Sequence, residues 1–156
     1  MHKILLILPL VLLFSCGTQK EVTQNGGVSS KDYLFIEKFY QALRFKANGR
    51  LDESAALLEE CLEIRKDDDA VFYALSKVEL LRGNELLSAG YIEKAAAIDP
   101  TNTWYIQELA YMYFETGRFD QSVVNFGKLV EKEPRNIDWL YGYAEALASR
   151  QTVRGD

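Results

Sequence analysis

Histidine is almost absent from this chain, since His2 is the only one among 156 residues. Cysteine is nearly as scarce, with Cys16 and Cys61 as the only two. Histidine is the commonest general base and transition-metal ligand, so its absence beyond position 2 argues against most classes of enzyme. Because Cys16 closely follows an apolar amino-terminal run and is expected to be modified, Cys61 has no partner for an internal disulfide. We therefore expect no catalytic residue, no metal and no cofactor.

Clusters of basic residues are missing as well. The chain has 18 Lys and Arg residues against 23 Asp and Glu residues, a formal net charge of −5. An acidic chain whose charges are evenly mixed argues against nucleic acid as the main partner. Its length and its hydrophobic content of 48% suffice for one domain with a core.

The chain has one long apolar run, residues 4–14, which follows a basic start at Lys3. This run of 11 residues predicts a secretory signal. It is too short to cross ~30 Å of hydrocarbon, which takes about 20 residues. Residues 13–16, Leu-Phe-Ser-Cys, resemble a bacterial lipobox. That resemblance implies cleavage before Cys16, a diacylglyceryl group on its sulfur and acylation of its new amino group. The alternative is a secreted protein with an incidental cysteine.

The amino-terminal region therefore divides into a lipoprotein signal peptide, residues 1–15, and a tether, residues 16–31. The tether is rich in Thr, Gln, Asn, Gly and Ser, a composition that cannot bury enough apolar surface to become ordered. Gly17, and not an acidic residue, follows Cys16, which suits transfer to the outer membrane. We expect an outer-membrane lipoprotein of the cell envelope that faces either the periplasm or the outside.

Three kinds of residue recur at a fixed interval of 34 positions: Gly49, Gly83 and Gly117; Ser54, Ser88 and Ser122; Pro100 and Pro134. A period of this length predicts an all-α solenoid of helix pairs, each of which buries its apolar face against the next. The glycines suit the left-handed end of a first helix. The serines are small where the paired helices approach, as are Ala42, Ser76, Ala110 and Ala144. The prolines stop the second helix.

We call the positions that correspond at the 34-residue interval a repeat column. The residues in these columns resemble the pattern of the tetratricopeptide repeat (TPR) family. The unit 103–136 matches best, with Ile106, Leu109, Ala110, Tyr113, Ser122, Phe126 and Pro134 in the family's positions. Units 69–102 and 35–68 match less fully, Glu79 replaces an aromatic residue, and 137–150 supplies one further first helix. The resemblance implies a right-handed superhelix of about three and a half helix pairs over residues 32–150, with a tail at 151–156. We predict helices near 32–48, 51–65, 69–82, 85–98, 103–116, 119–132 and 136–150.

In that family the first helices of successive repeats line a concave groove. Transferring the groove columns gives the candidate partner-binding residues: Phe39, Leu43, Tyr73, Lys77, Leu80, Trp104, Gln107, Tyr111, Phe114, Tyr141 and Glu145. The alternative for Tyr73 and Tyr111 is core packing, and for Trp104 a contact between repeats. Phe39 and Leu43 stand where the carboxylate clamp of chaperone-binding relatives carries Lys and Asn, so a ligand with an acidic tail is not favoured.

Several other features are interpreted structurally. Cys61 occupies a small buried column, and residues 67–69, three aspartates, are expected to cap a helix because no calcium-loop pattern accompanies them. The ending Arg154-Gly155-Asp156 matches an integrin-binding tripeptide by chance. The last helix is apolar around most of its circumference, which suggests a truncated array or docking on a partner or a second copy.

We therefore expect a non-enzymatic, lipid-anchored scaffold that binds a peptide or helix of another envelope protein. The alternative is an accessory or regulatory subunit of an envelope enzyme such as a cell-wall hydrolase. Both functions are inferred by analogy with the family.

Overall fold

Seven α-helices and no strand make up residues 29–155, the part of the chain that the computed structural model describes. They are α1 (Ser30–Ala47), α2 (Leu51–Ile64), α3 (Asp69–Leu81), α4 (Glu85–Ile98), α5 (Thr103–Glu115), α6 (Phe119–Lys132) and α7 (Ile137–Arg154). Helices α1 to α6 form three hairpin pairs, and the second helix of each pair also packs on the first helix that follows it. This is the all-α repeat solenoid predicted from the 34-residue period.

The first helix of each pair ends at one of the repeated glycines. Gly49, Gly83 and Gly117 have φ values of 73°, 79° and 73°, in the left-handed region that favours glycine. The amide that follows each glycine donates to the carbonyl five residues before it, with N···O distances of 2.9, 2.9 and 2.7 Å. This hydrogen bond closes a Schellman-type end and reverses the chain toward the second helix.

The repeated serines fasten the two helices of each pair. Ser54 Oγ donates to the carbonyl of Ala42 at 2.8 Å, and Ser122 Oγ donates to that of Ala110 at 2.8 Å. In the second pair the Ser88 and Ser76 hydroxyls lie 3.1 Å apart and share a hydrogen bond. The two helix backbones approach closely at these hydrogen bonds, so both the serine column and the column of Ala42, Ser76 and Ala110 hold small residues.

One first helix, α5, contributes to two cores. Helix α5 places Tyr105, Leu109 and Tyr113 in a cluster with α1 to α4. Its Ile106 and Ala110 pack instead with Phe126, Leu129 and other residues of α6 and α7. A helix that is apolar on two faces holds its neighbours on both sides, as stacking of repeats requires.

Two helix ends differ from the prediction. Helix α1 takes in Ser30 and Lys31, which were assigned to the tether, because the Ser29 side chain accepts a hydrogen bond from the Asp32 amide at 3.1 Å and caps the helix there. Helix α7 continues through residues 151–154, which were assigned to the tail. Gln151 stands where the earlier repeats have glycine, and the left-handed residue comes only at Gly155, with φ 72°.

Helix α7 also presents a different face from the one predicted. Ala144 was expected to lie where paired helices approach, yet it is exposed, because no second helix follows α7 within residues 29–155. Leu140 is exposed as well. The buried side of α7 is the one toward α6. There Gly142 faces the Phe126 ring so closely that an added Cβ would lie 2.5 Å from two ring carbons.

Candidate partner-binding surface

The first-helix surface is the outward side of α1, α3, α5 and α7 that carries the candidate groove residues. Five of these residues are exposed: Leu80, Trp104, Tyr111, Tyr141 and Glu145. Six are half-buried: Phe39, Leu43, Tyr73, Lys77, Gln107 and Phe114. The first-helix surface is therefore most open along α5 and α7 and most closed at α1.

The closed part belongs largely to the core. Phe39 and Leu43 pack against the cluster formed by α1 to α5, and Phe39 stacks on Phe35 with ring centroids 5.9 Å apart. Tyr73 lies 5.3 Å from the ring of Tyr105, and burial raises the pKa of the Tyr73 phenol. Tyr73 therefore both packs in the core and contributes to the first-helix surface, because it contacts Tyr105 and is only half-buried.

Trp104 is the most exposed aromatic residue of α5. Its side chain is 67% exposed and, with Tyr73, Asn102 and Tyr105, lines an open cavity of about 430 Å³. The alternative of a packed contact between repeats is thus wrong for Trp104. Trp139 takes that role: it is buried, and its indole Nε1 donates to Gln107 Oε1 at 2.8 Å. This hydrogen bond connects α7 to α5.

An acidic cavity of about 320 Å³ lies between α3, the start of α4 and α5. Its charged lining consists of Lys77, Glu85, Glu108 and Glu115. Lys77 Nζ donates to Glu108 Oε2 at 2.7 Å, whereas Glu85 and Glu115 form no ion pair within residues 29–155. The cavity therefore keeps two carboxylates that no basic side chain in the described region neutralises.

The end of the first-helix surface at α7 combines aromatic and acidic side chains. Tyr141 is 65% exposed, and the Glu145 carboxylate beside it raises the pKa of its phenol. Tyr111 packs edge-on against Phe126 with ring centroids 5.0 Å apart, and its pKa is raised by burial and then by Asp138 and Glu145. Tyr111 therefore both packs and forms part of the exposed surface.

Glu79, the residue that departs from the aromatic column, is almost fully buried. In the first and third pairs this column holds Phe45 and Tyr113, each covered by an arginine five residues later, Arg50 at 4.1 Å and Arg118 at 4.3 Å. In the second pair Asn84 replaces the arginine, and its amide donates to Glu79 Oε2 at 2.6 Å, while Arg82 donates to Oε1 at 2.7 Å. The two columns have changed together, so Glu79 keeps a structural role.

The other features singled out in the sequence are also structural. Cys61 is fully buried, and burial raises the pKa of its thiol to about 11. Asp68 caps α3 by accepting from the Val71 amide at 3.1 Å, and Asp69 accepts from the Tyr105 hydroxyl at 2.8 Å. Arg154 is helical and pairs with Asp120 at 2.8 Å. No set of ligands that could hold a metal ion occurs between residues 29 and 155.

The predictions for the amino terminus, namely the signal peptide, the lipid on Cys16 and most of the tether, lie outside the described residues. Among the helices of the described region, none has both the length and the hydropathy to cross a bilayer.

Comparison with solved structures gives TPR domains. The first TPR of RPAP3 (Spaghetti), bound to an HSP90 peptide SRMEEVD, superimposes with a TM-score of 0.65 at 9% identity, over 75% of this chain and 93% of that one. A MamA RS-1 double mutant superimposes with a TM-score of 0.68 at 14% identity, over 82% of this chain and 70% of that one. The Yersinia enterocolitica type III secretion chaperone SycD, in complex with a peptide of the translocator YopD, superimposes with a TM-score of 0.57 at 10% identity. The match covers 76% of this chain and 91% of that one. No family model and no curated protein matches the sequence. The chain has the fold of a TPR domain.

Proposed function

We propose that the protein is a non-enzymatic scaffold that binds a peptide or helical segment of another cell-envelope protein on the first-helix surface. Lipid on Cys16 would hold it to the outer membrane. The observation that carries the proposal is the exposure of Trp104, Tyr111 and Tyr141 along two consecutive first helices. Aromatic side chains of this kind dominate the energetics of protein interfaces.

The solved relatives support a peptide as the occupant. RPAP3 was solved with a peptide of HSP90 and SycD with a peptide of YopD, so the repeat fold holds short segments in both. The repeated serines cannot act as nucleophiles in this arrangement, because Ser54 and Ser122 donate to backbone carbonyls and no histidine follows His2. Binding is therefore the activity that these residues support.

The surface is tested by affinity purification of the tagged full chain from membranes, comparing Trp104→Ala/Tyr141→Ala with the control Val124→Ala. Val124 is also apolar and exposed, but it lies on the second helix α6. Truncating an aromatic residue that is a hot spot of an interface costs about 2 kcal/mol or more. We expect the double variant to lose partners that wild type and control retain. Equal recovery from all three proteins would exclude the first-helix surface as the binding site.

The anchor is tested separately by metabolic labelling with an alkynyl fatty acid. We expect wild type to be labelled and Cys16→Ser to remain unlabelled and leave the membrane fraction. Equal labelling of both proteins would refute the lipid attachment without bearing on the surface.

A further inference from the structure

The second helix pair carries four leucines that the other pairs do not share. Leu80 and Leu81 end α3, Leu86 and Leu87 begin α4, and all four are exposed, Leu86 by 88%. We call these four residues the leucine edge. At the columns of Leu86 and Leu87 the first pair has Asp52 and Glu53, and the third pair has Asp120 and Gln121. The fold therefore accepts acidic or polar residues at these positions, and the leucines are not needed to build the turn.

The leucine edge continues into the acidic cavity. Leu80 and Glu85 line that cavity together with Glu108 and Glu115. Apolar side chains thus lie beside two carboxylates, Glu85 and Glu115, that form no ion pair with any residue of the region 29–155. An occupant that covers both features needs apolar side chains and positive charge in one short segment.

We propose that the leucine edge and the acidic cavity together bind a cationic amphipathic segment of the partner protein. This inference rests on the proposed function and specifies the chemistry of the partner. Lys or Arg side chains of that segment pair with Glu85 and Glu115, and its apolar side chains cover the leucine edge. The preference is opposite to that of the RPAP3 domain, whose HSP90 peptide SRMEEVD carries adjacent glutamates and a terminal aspartate. A membrane is less suitable as the occupant, because carboxylates beside the leucines repel anionic headgroups.

The probe for this site is a fluorescein-labelled helical peptide of Leu and Lys, about 14 residues long, which gives four helical turns. Two analogues replace every Lys by Glu or by Gln. Anisotropy titrations use the full chain in a mild non-ionic detergent, with a detergent-only titration as the blank. We expect the Lys peptide to bind and the Glu peptide not to bind.

The decisive variant is Leu86→Asp/Leu87→Glu, which installs the residues of the first pair. Circular dichroism is expected to be unchanged, because the first pair folds with these residues. We expect affinity for the Lys peptide to fall at least about tenfold, because two apolar contacts are lost. Nonspecific attraction to an acidic protein predicts the reverse, since the variant adds two negative charges. Unchanged or tighter binding would therefore overturn the inference.

The carboxylates are tested with Glu85→Gln/Glu115→Gln against the matched control Glu63→Gln/Glu131→Gln. The control residues are also exposed glutamates, and both lie on second helices away from the cavity. We expect the cavity variant to weaken binding of the Lys peptide about fivefold and the control less than about twofold. Equal effects would show that only net charge matters and would refute the site.

Two further outcomes would contradict the inference. Binding of the Glu peptide, abolished by Trp104→Ala/Tyr141→Ala, would exclude a cationic partner while leaving the proposed scaffold function intact. The Cys16→Ser full chain is also mixed with vesicles of phosphatidylcholine and phosphatidylglycerol. Co-sedimentation that disappears in Leu86→Asp/Leu87→Glu would assign the leucine edge to a lipid surface instead.

Discussion

Replacing Gly142 by alanine tests how α7 is held on the repeat array. A Cβ at this position would lie 2.5 Å from two carbons of the Phe126 ring and 3.2 Å from a third. Phe126 is almost fully buried and packs against Tyr111, so its ring has little room to move. Overpacking of this kind costs about 1–3 kcal/mol, against about 1 kcal/mol gained when alanine replaces glycine inside a helix. We expect Gly142→Ala to be neutral or to destabilise the domain by up to about 2 kcal/mol.

Gly90 provides the matched control, because it also lies inside a helix, α4, yet a Cβ there would meet nothing within 4 Å. Gly90→Ala should stabilise the domain by about 1 kcal/mol, since only the helix propensity changes. The two variants should therefore differ by about 1–3 kcal/mol in free energy of unfolding. That difference corresponds to roughly 3–12 °C in Tm for a domain of this size.

Urea denaturation followed by circular dichroism measures both variants. In a Trp104→Phe background, the fluorescence of Trp139 on α7 reports whether that helix detaches first. If Gly142→Ala stabilises the protein as much as Gly90→Ala, α7 does not pack on Phe126 as described. In that case there would also be no basis for placing Tyr141 of α7 beside Tyr111 of α5.

Three further predictions concern the repeat columns. Ser122→Ala should lower the free energy of unfolding by about 1 kcal/mol in urea denaturation, because its buried hydroxyl donates to the Ala110 carbonyl; no change would mean that the hydrogen bond does not hold the pair together. Gly117→Ala should cost about 1 kcal/mol in the same assay, because its φ of 73° disfavours a side chain although the space around it is open; a stabilised variant would refute the left-handed cap. In the Cys16→Ser chain, Cys61 should react with iodoacetamide at pH 8 at least about 100-fold more slowly when folded than when unfolded, because its thiol is fully buried and burial raises its pKa to about 11. Equal alkylation rates in the folded and unfolded states would contradict the burial of Cys61. The stability that the protonated thiol contributes is fully present below pH 9 and is lost as the pH rises through about 11.

Most helix boundaries between residues 51 and 132 could be predicted because they lie beside a residue with restricted or permissive backbone. Glycine at 49, 83 and 117 and proline at 100 and 134 leave few alternatives for where a helix ends. At the carboxyl end the same reasoning failed, because Gln151 breaks the column and any ordinary residue allows the helix to continue. Only Gly155, outside the period, stops α7.

The candidate surface was less predictable, because a repeat column states which helix face a residue lies on but not how close the next helix comes. Phe39 and Tyr73 share a column with Tyr141, which is exposed on α7, yet they are half-buried where α1, α3 and α5 pack together. The hydrogen bond between Trp139 and Gln107 was missed for the same reason, since it joins two helices 32 positions apart. In the second pair, Glu79 and Asn84 replace the aromatic residue and the arginine of the other pairs. This paired replacement could have been found in the sequence by comparing the two repeat columns that lie five residues apart.

Site-specific photo-crosslinking in intact cells tests the central claim most directly. A benzoylphenylalanine replaces Trp104 on the first-helix surface or Val124 on α6, both exposed positions that tolerate a large side chain. We expect a discrete crosslinked protein from position 104 and none from position 124. Crosslinks from position 124 alone, or the same products from both positions, would contradict binding on the first-helix surface.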